Sequence, residues 1–277
     1  VIIKIVKSQR LFYHKGTSKD VNTMKTLAEY HDIIIHLRAD IQQHYHEFMR
    51  NPNDIETIHT LRVSIRQLRS LISFIRPLLN QKDYRIIQSK CRQLHQSSSD
   101  LRNLDVLMLD WVTFQEQYKT LRDYSNLSNL FQEQREYLKQ EVMIYDFKTL
   151  FDETFSMINL TLTACHCNNF QKFVDIRLNK WARSIKKLSK SNKDIHVLRI
   201  KYKKLRYVQT ALELEVMDLK ELKKSQDILG DLNDTYTAII LLDDYSSRFK
   251  HLELDDDISL FKGYQLLKRE NLLKSLN

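Results

Sequence analysis

The sequence predicts an all-α protein, and three observations predict it. The 277-residue chain has only 3 glycines and 2 prolines, too few for the turns of a β protein or the glycine-rich loops of an α/β cofactor fold. Its 42% hydrophobic residues are enough to form a sizeable buried core. Those apolar residues recur at helical spacing over most of the chain after about residue 20.

Breaks in this periodicity divide the chain into a lead-in and a series of helices. Residues 1–19 are expected to be an extended basic lead-in, and residues 20–277 a single helical domain. The Asn-Pro-Asn-Asp sequence at 51–54 ends one helix and caps the next, and Pro77 fits the exit of that second helix. We expect helices over 20–50, 54–76, 81–98, 102–122, 126–160, 170–190, 194–215, 218–229, 232–247 and 257–275.

The helical domain contains an internal repeat. HTLRVSIRQLR at 59–69 matches HVLRIKYKKLR at 196–206 with five identities. About thirty residues later a second similar pair follows, SSDLRNLDV at 98–106 and LGDLNDTYT at 229–237, each expected at a junction between helices. The order of the two matches predicts a first repeat over about 20–125 and a second over about 126–250, related by a pseudo-twofold axis. An additional C-terminal helix is expected to follow the second repeat.

Each copy of the repeat carries a basic stripe. In the first copy, one histidine and three arginines lie at offsets 0, 3, 7 and 10. At about 100° per residue they fall within an arc of roughly 80° on one helix face, opposite Leu61, Leu68 and Leu71. The stripe residues are His59, Arg62, Arg66 and Arg69 in the first copy, and His196, Arg199, Lys203 and Arg206 in the second. Arg76 nearly continues the first stripe.

Stacked like charges favour an anionic ligand, because neighbouring cations on one helix repel each other. The first stripe covers about 17 residues, or roughly 25 Å, which suits a polymer with repeated charge better than a single phosphate. The net charge of +9 agrees with an anionic partner. Two alternatives remain open: solvated side chains, or salt bridges to the nearby acids Asp100, Asp105, Asp231 and Asp234.

These residues resemble the conserved-histidine α-helical domain, or CHAD, family, whose halves carry His-x-x-Arg-x-x-x-[Arg/Lys]-x-x-Arg. Both copies match at every position of that motif. The family's second-half pattern, Gln-x-x-Leu-Gly-x-x-Asn-Asp, is matched by Gln226, Leu229, Gly230, Asn233 and Asp234. The family's first-half pattern at the corresponding junction is Leu-Gly-x-x-Arg-Asp-x-Asp-Val. Arg102, Asp105 and Val106 match it, whereas Ser98 and Ser99 replace its Leu-Gly and Asn103 replaces its first Asp.

The resemblance implies two pseudo-symmetric four-helix bundles around a central basic channel that binds inorganic polyphosphate. The eight stripe residues are then the channel lining. Secondary contributors are expected to be Arg76, Arg92, Arg102, Lys223, Tyr207, Arg183 and Lys187, whereas Lys201 and Lys204 are expected to be solvated. In many members the domain is fused to a triphosphatase domain of the CYTH type. The Glu-x-Glu-x-Lys signature of that enzyme is absent, since Glu213-Leu214-Glu215 is followed by Val216 and Met217.

Non-catalytic binding is the function expected, with no cofactor and no dedicated metal. Phosphoryl transfer usually needs clustered acids or a glycine-rich loop, and neither is evident. Cys165-His166-Cys167 falls short of a structural zinc set, so a divalent cation is expected only on the phosphate oxygens of the ligand. The alternatives are a nucleic-acid-binding protein and an accessory domain of a polyphosphate-acting phosphohydrolase. Most aromatic residues, such as Phe48, Phe74 and Phe131, fall on apolar positions, with Tyr202 and Tyr207 as exceptions.

The sequence also predicts where the protein acts. Three cysteines in a chain of this size fit a reducing compartment, so a cytoplasmic location is expected, with polyphosphate granules as a place of association. There is no run of 18 apolar residues, and we expect neither a membrane span nor a membrane partner.

Overall fold

The computed structural model describes residues 26–118, 124–189, 195–214 and 216–275, and the regular structure in these ranges is helical. The all-α prediction is therefore confirmed. The predicted lead-in, 1–19, lies outside the described residues. The ten α-helices in these ranges are α1 (Leu27–Arg50), α2 (Ile55–Ile75), α3 (Gln81–Gln96), α4 (Ser99–Gln117), α5 (Ser125–Ile144), α6 (Phe147–Thr163), α7 (Phe170–Ser189), α8 (Ile195–Leu212), α9 (Leu219–Arg248) and α10 (Asp255–Ser275).

Side-chain caps fix the starts of the first two helices. A capping box begins α1, in which Thr26 Oγ1 accepts from the main-chain N–H of Glu29 at 3.1 Å and the Glu29 carboxylate accepts from that of Thr26 at 2.7 Å. Helix α1 thus begins at Leu27, and residues 20–25, where the sequence predicts its start, lie outside the described residues. The Asp54 carboxylate accepts from the main-chain N–H of Glu56 at 2.9 Å and starts α2, as the sequence predicts.

The single helix predicted over 126–160 is wrong. The chain leaves helical conformation at Tyr145 and Asp146, between α5 and α6. Asp146 then caps α6 by accepting from the main-chain N–H of Thr149 at 3.1 Å. This break contains neither glycine nor proline, so the sequence pattern did not reveal it.

The two helices predicted over 218–229 and 232–247 are a single helix, α9. Gly230 lies in its interior, and no described glycine has a positive φ. The segment 229–237 is therefore not a junction between helices, although its partner 98–106 does span the start of α4. One glycine in a helix costs about 1 kcal/mol relative to alanine, which thirty residues of regular packing can offset.

The helices pack around two hydrophobic clusters. The first includes Ile65, Phe74 and Leu205 and is formed mainly by α1, α2, α3, α6, α7 and α8. The second includes Trp111 and Phe261 and is formed mainly by α4, α5, α9 and α10. Both clusters draw helices from both halves of the sequence, so the predicted repeat boundary near 125 does not separate two cores. The pseudo-twofold symmetry stays a prediction.

The basic stripes lie on helices that meet in the interior of the fold. Helix α2 packs against α1, α3, α4 and α8, and α8 packs against α7 and α9. Leu61, Leu68 and Leu71 are buried on the core side of α2, as predicted. Because α2 has neighbours on several sides, its basic face is partly covered by other helices: Arg62 is buried, whereas Arg66 and Arg69 are half-buried. No helix in the described part of the chain is both long and apolar enough to cross a bilayer.

Candidate polyanion-binding site

Arg62 is the most deeply buried cation of the first stripe, with 6% of its surface exposed. Its Nη1 donates to the main-chain oxygen of His95 at 2.7 Å and to the hydroxyls of Ser98 and Ser99 at 3.1 Å each. Burial, followed by the charge of Arg66, lowers the pKa of Arg62 to about 9. Arg62 therefore ties α2 to the turn between α3 and α4.

Arg66 and Arg69 are held differently. Both are half-buried, and the Nε atom of each, like that of Arg62, is buried without a hydrogen-bond partner. Among the described residues, neither side chain takes part in an ion pair. Burial also lowers the pKa of Arg69. These two guanidinium groups have donors left for an oxyanion.

The second stripe approaches the first from α8. Arg199 donates from Nη1 to the side-chain oxygen of Asn233 at 2.7 Å. Lys203 is half-buried, and burial followed by the charges of Arg199 and Arg66 lowers its pKa to about 7. Since Arg66 belongs to α2, the two stripes face each other. The central basic cluster, as we call it, comprises His59, Arg62, Arg66, Arg69, Arg102, Arg199, Lys203 and Arg206.

The two predicted histidines are in different environments. Burial and the charges of Arg102 and Arg66 lower the pKa of His59 to about 4, so its ring is neutral at pH 7. His196 is exposed in the first turn of α8. The two copies of the motif thus place their histidines differently.

Sequence reasoning missed His95. Its Nε2 atom is buried without a hydrogen-bond partner, and burial followed by the charges of Arg62 and Arg66 lowers its pKa to about 2. His95 lies in the last turn of α3, next to the serine-rich break that carries Ser98 and Ser99. Its position beside this break could have identified His95 from the sequence, but His95 has no counterpart in the repeated motif.

A family model for the CHAD domain matches residues 32–243. The chain belongs to the CHAD family. Its fold is similar to the crystal structure of the CHAD domain from the plant Ricinus communis, with a TM-score of 0.74, 19% identity, and coverage of 88% of this chain and 86% of that one. It is also similar to PptA from Streptomyces chartreusis, with a TM-score of 0.61, 10% identity, and coverage of 88% and 99%. No curated protein matches the sequence.

The secondary ligand-binding residues predicted for this CHAD domain lie in different surroundings. Arg102 belongs to the central basic cluster, Arg92 is exposed on α3 with its charge acting on Arg69, and Arg76 is exposed at the end of α2. Lys223 is exposed on α9, and Arg183 and Lys187 are exposed on α7. Tyr207 is 7% exposed, so its ring belongs to the interior, and Arg206 lies 5.2 Å from its centroid.

Two acidic residues of the CHAD motifs form no salt bridge to the basic stripes among the described residues. Asp105 is buried and accepts from Nε of Arg135 at 2.7 Å, which joins α4 to α5. Asp234 forms none of the ion pairs in the described ranges, but its charge opposes the pKa lowering of Arg199 and Lys203. The alternative that the predicted acids neutralise the stripes through direct salt bridges is therefore wrong for Asp105 and Asp234.

The expectation that Lys201 and Lys204 are merely solvated is wrong, because both half-buried side chains donate to serines. Lys204 donates to Ser73 at 3.1 Å, and Lys201 donates to Ser184 at 2.5 Å. All three cysteines are free, and Cys165 donates from Sγ to the main-chain oxygen of Leu78 at 3.4 Å. No trio of His, Cys, Asp or Glu side chains in the described ranges is arranged to hold a metal ion.

Proposed function

We propose that this CHAD domain binds inorganic polyphosphate through its central basic cluster and catalyses no reaction on it. One observation carries the proposal: Arg66, Arg69 and Lys203 lie half-buried near one another, and none of them forms an ion pair among the described residues. Partial burial strengthens the attraction of a cation for an anion relative to water. Guanidinium groups also match phosphate oxygens in geometry.

The shape of the cluster favours a polymer. Its side chains follow α2 from the neutral His59 to the cation Arg69, a rise of roughly 15 Å, so one orthophosphate would meet only part of it. The family resemblance implies polyphosphate in particular. Single-stranded nucleic acid usually needs exposed aromatic side chains for base stacking, whereas Tyr207 is buried and Tyr202 is half-buried against the core. Divalent cations are proposed as companions of the ligand, bound to its phosphate oxygens, and the cytoplasm as the place of binding.

Calorimetric titration tests this proposal with three ligands: long-chain polyphosphate, orthophosphate and a single-stranded RNA of equal charge, at near-physiological salt. We expect tight binding of polyphosphate alone. RNA binding of equal or greater affinity would instead indicate a general polyanion surface. Incubation of polyphosphate with the protein and magnesium or manganese tests the absence of catalysis, since release of phosphate over hours would contradict it.

A further inference from the structure

Two cations from different helices meet at the C-terminal end of α2. Arg177 on α7 donates from Nε to the main-chain oxygen of Phe74 at 3.1 Å and from Nη2 to that of Ser73 at 3.4 Å. Lys204 on α8 donates from Nζ to the Ser73 hydroxyl at 3.1 Å. Arg177 was not singled out by the sequence because it belongs to neither stripe.

Two further cations complete this group. Arg76 follows Ser73 by three residues and is exposed, with its guanidinium 5.2 Å from the ring centroid of Tyr84. Lys201 precedes Lys204 by one helical turn and donates to Ser184 on α7, the helix that also carries Arg177. We call Arg76, Arg177, Lys201 and Lys204 the C-terminal basic cluster, after its place on α2.

The positive charge of this cluster exceeds what the helix end can balance. The C-terminus of a helix contributes about half a negative charge, against four cations here. Within the described ranges no ion pair involves any of the four. Burial followed by the charges of Arg69 and Arg177 lowers the pKa of Lys204, and the charges of Lys201 and Arg76 act in the same direction. Such an excess of positive charge favours an anion.

We infer that the C-terminal basic cluster is a second oxyanion site, which binds the phosphate groups of a polyphosphate chain extending beyond the central basic cluster. This inference rests on the proposed function. Arg69 links the two clusters, since its charge acts on Lys204. The rise along α2 is roughly 15 Å from His59 to Arg69 and roughly 25 Å from His59 to Arg76. A short chain therefore fills the central basic cluster alone, whereas a long chain reaches both.

The test compares two chain lengths on two charge-matched triple variants of the full chain. The cluster variant carries Arg76→Gln, Lys201→Gln and Lys204→Gln, because glutamine keeps a donor for the serine hydroxyls. Arg177 is retained for its hydrogen bonds to the carbonyls of α2. The control variant carries Arg50→Gln, Lys148→Gln and Lys172→Gln, three exposed cations on α1, α6 and α7 that belong to neither basic cluster. Tripolyphosphate and long-chain polyphosphate are the probes.

We expect the cluster variant to lose about tenfold in affinity for the long chain relative to the control variant, a change of roughly 1.4 kcal/mol, and to bind tripolyphosphate as the control does. Its salt dependence for the long chain should also flatten. If the triple variant melts at a lower temperature, Arg76→Gln alone, at an exposed side chain, should show a smaller loss of the same kind.

Equal losses for both probes, or no loss beyond that of the control variant, would overturn the second site while leaving the central one intact. A wild-type protein that binds neither probe would overturn the proposed function, and this inference with it.

Discussion

Arg62 Nη1 lies 2.7 Å from the main-chain oxygen of His95, so an arginine of the first basic stripe is committed to the turn between α3 and α4. Arg66, one turn further along α2, has no comparable bond among the described residues. Two arginines of one repeated motif therefore have different tasks. Arg62 holds α2 to this turn, and the proposed function assigns Arg66 to the ligand.

Replacing these two arginines should separate stability from binding. Arg62→Ala is expected to lower the melting temperature, at a cost of roughly 1–3 kcal/mol, because it removes one of the two donors to the His95 carbonyl and the donor to the Ser98 and Ser99 hydroxyls. Arg66→Ala should leave the melting temperature unchanged or higher, since it relieves repulsion, while weakening polyphosphate binding. Thermal unfolding and calorimetric titration of both variants provide the measurement. Equal destabilisation by the two substitutions would contradict this division.

The stability of the protein without ligand should depend on pH through Lys203. Its pKa is about 7 in the folded protein against an ordinary value of 10.5. Below about pH 7 the side chain is charged in both states, and its full destabilising effect is present. Between about pH 7 and pH 10.5 the unfolded chain binds more protons at Lys203 than the folded protein does, so the free energy of unfolding rises with pH. Lys203→Met should flatten this rise in denaturant titrations, and an unchanged slope would argue against it.

Polyphosphate binding should be accompanied by proton uptake. A bound polyanion favours the charged form of Lys203 and raises its pKa above about 7, so the fraction that is neutral at pH 7.5 becomes protonated. His59, with a pKa of about 4, should contribute to the same effect at lower pH. Calorimetric titrations in buffers of different ionisation enthalpy measure the number of protons. The same apparent enthalpy in every buffer would rule out this coupling.

Two helical glycines offer a matched pair near and far from the site. Gly230 in α9 and Gly263 in α10 each have open space where a Cβ would stand, so alanine should stabilise the protein by up to about 1 kcal/mol at either position. Gly230 shares a helix face with Asn233, the partner of Arg199. A bulky Gly230→Leu substitution is therefore expected to weaken polyphosphate binding, and Gly263→Leu is not. Equal binding by both leucine variants would place Gly230 outside the site.

The helical pattern predicted most of the fold, and its errors share a physical cause. Residues 145–146 interrupt a helix without glycine or proline, because Asp146 supplies a cap from an ordinary sequence. Gly230 does the opposite and sits inside a helix that its packing against α8 and α10 maintains. Glycine and proline alone therefore did not decide where the helices end: a helix ends at residues 145–146 without them, and α9 continues through Gly230.

The two helices that carry the repeated motif pack against each other, but the motif did not distinguish the tasks of their residues. Helical spacing shows that Arg62 and Arg66 share a face, whereas only the neighbouring turn at Ser98 shows which one is bonded. His95, Arg177 and Lys204 could not be assigned from spacing, because their surroundings come from other helices. The positions of these residues along the chain do not show which helices will pack around them.

Both halves of the sequence contribute helices to both hydrophobic clusters, which limits how this protein can be divided. Cutting the chain near residue 120 would leave α1, α2 and α3 without α6, α7 and α8, and α4 without α9 and α10. Neither fragment would contain a whole core, so each should expose apolar surface and aggregate, and folded material should form only when the two are produced together. If the repeat arose by duplication of a shorter gene, a single copy with these contacts could have completed each core only with a second copy of itself, and fusion would have joined the two in one chain.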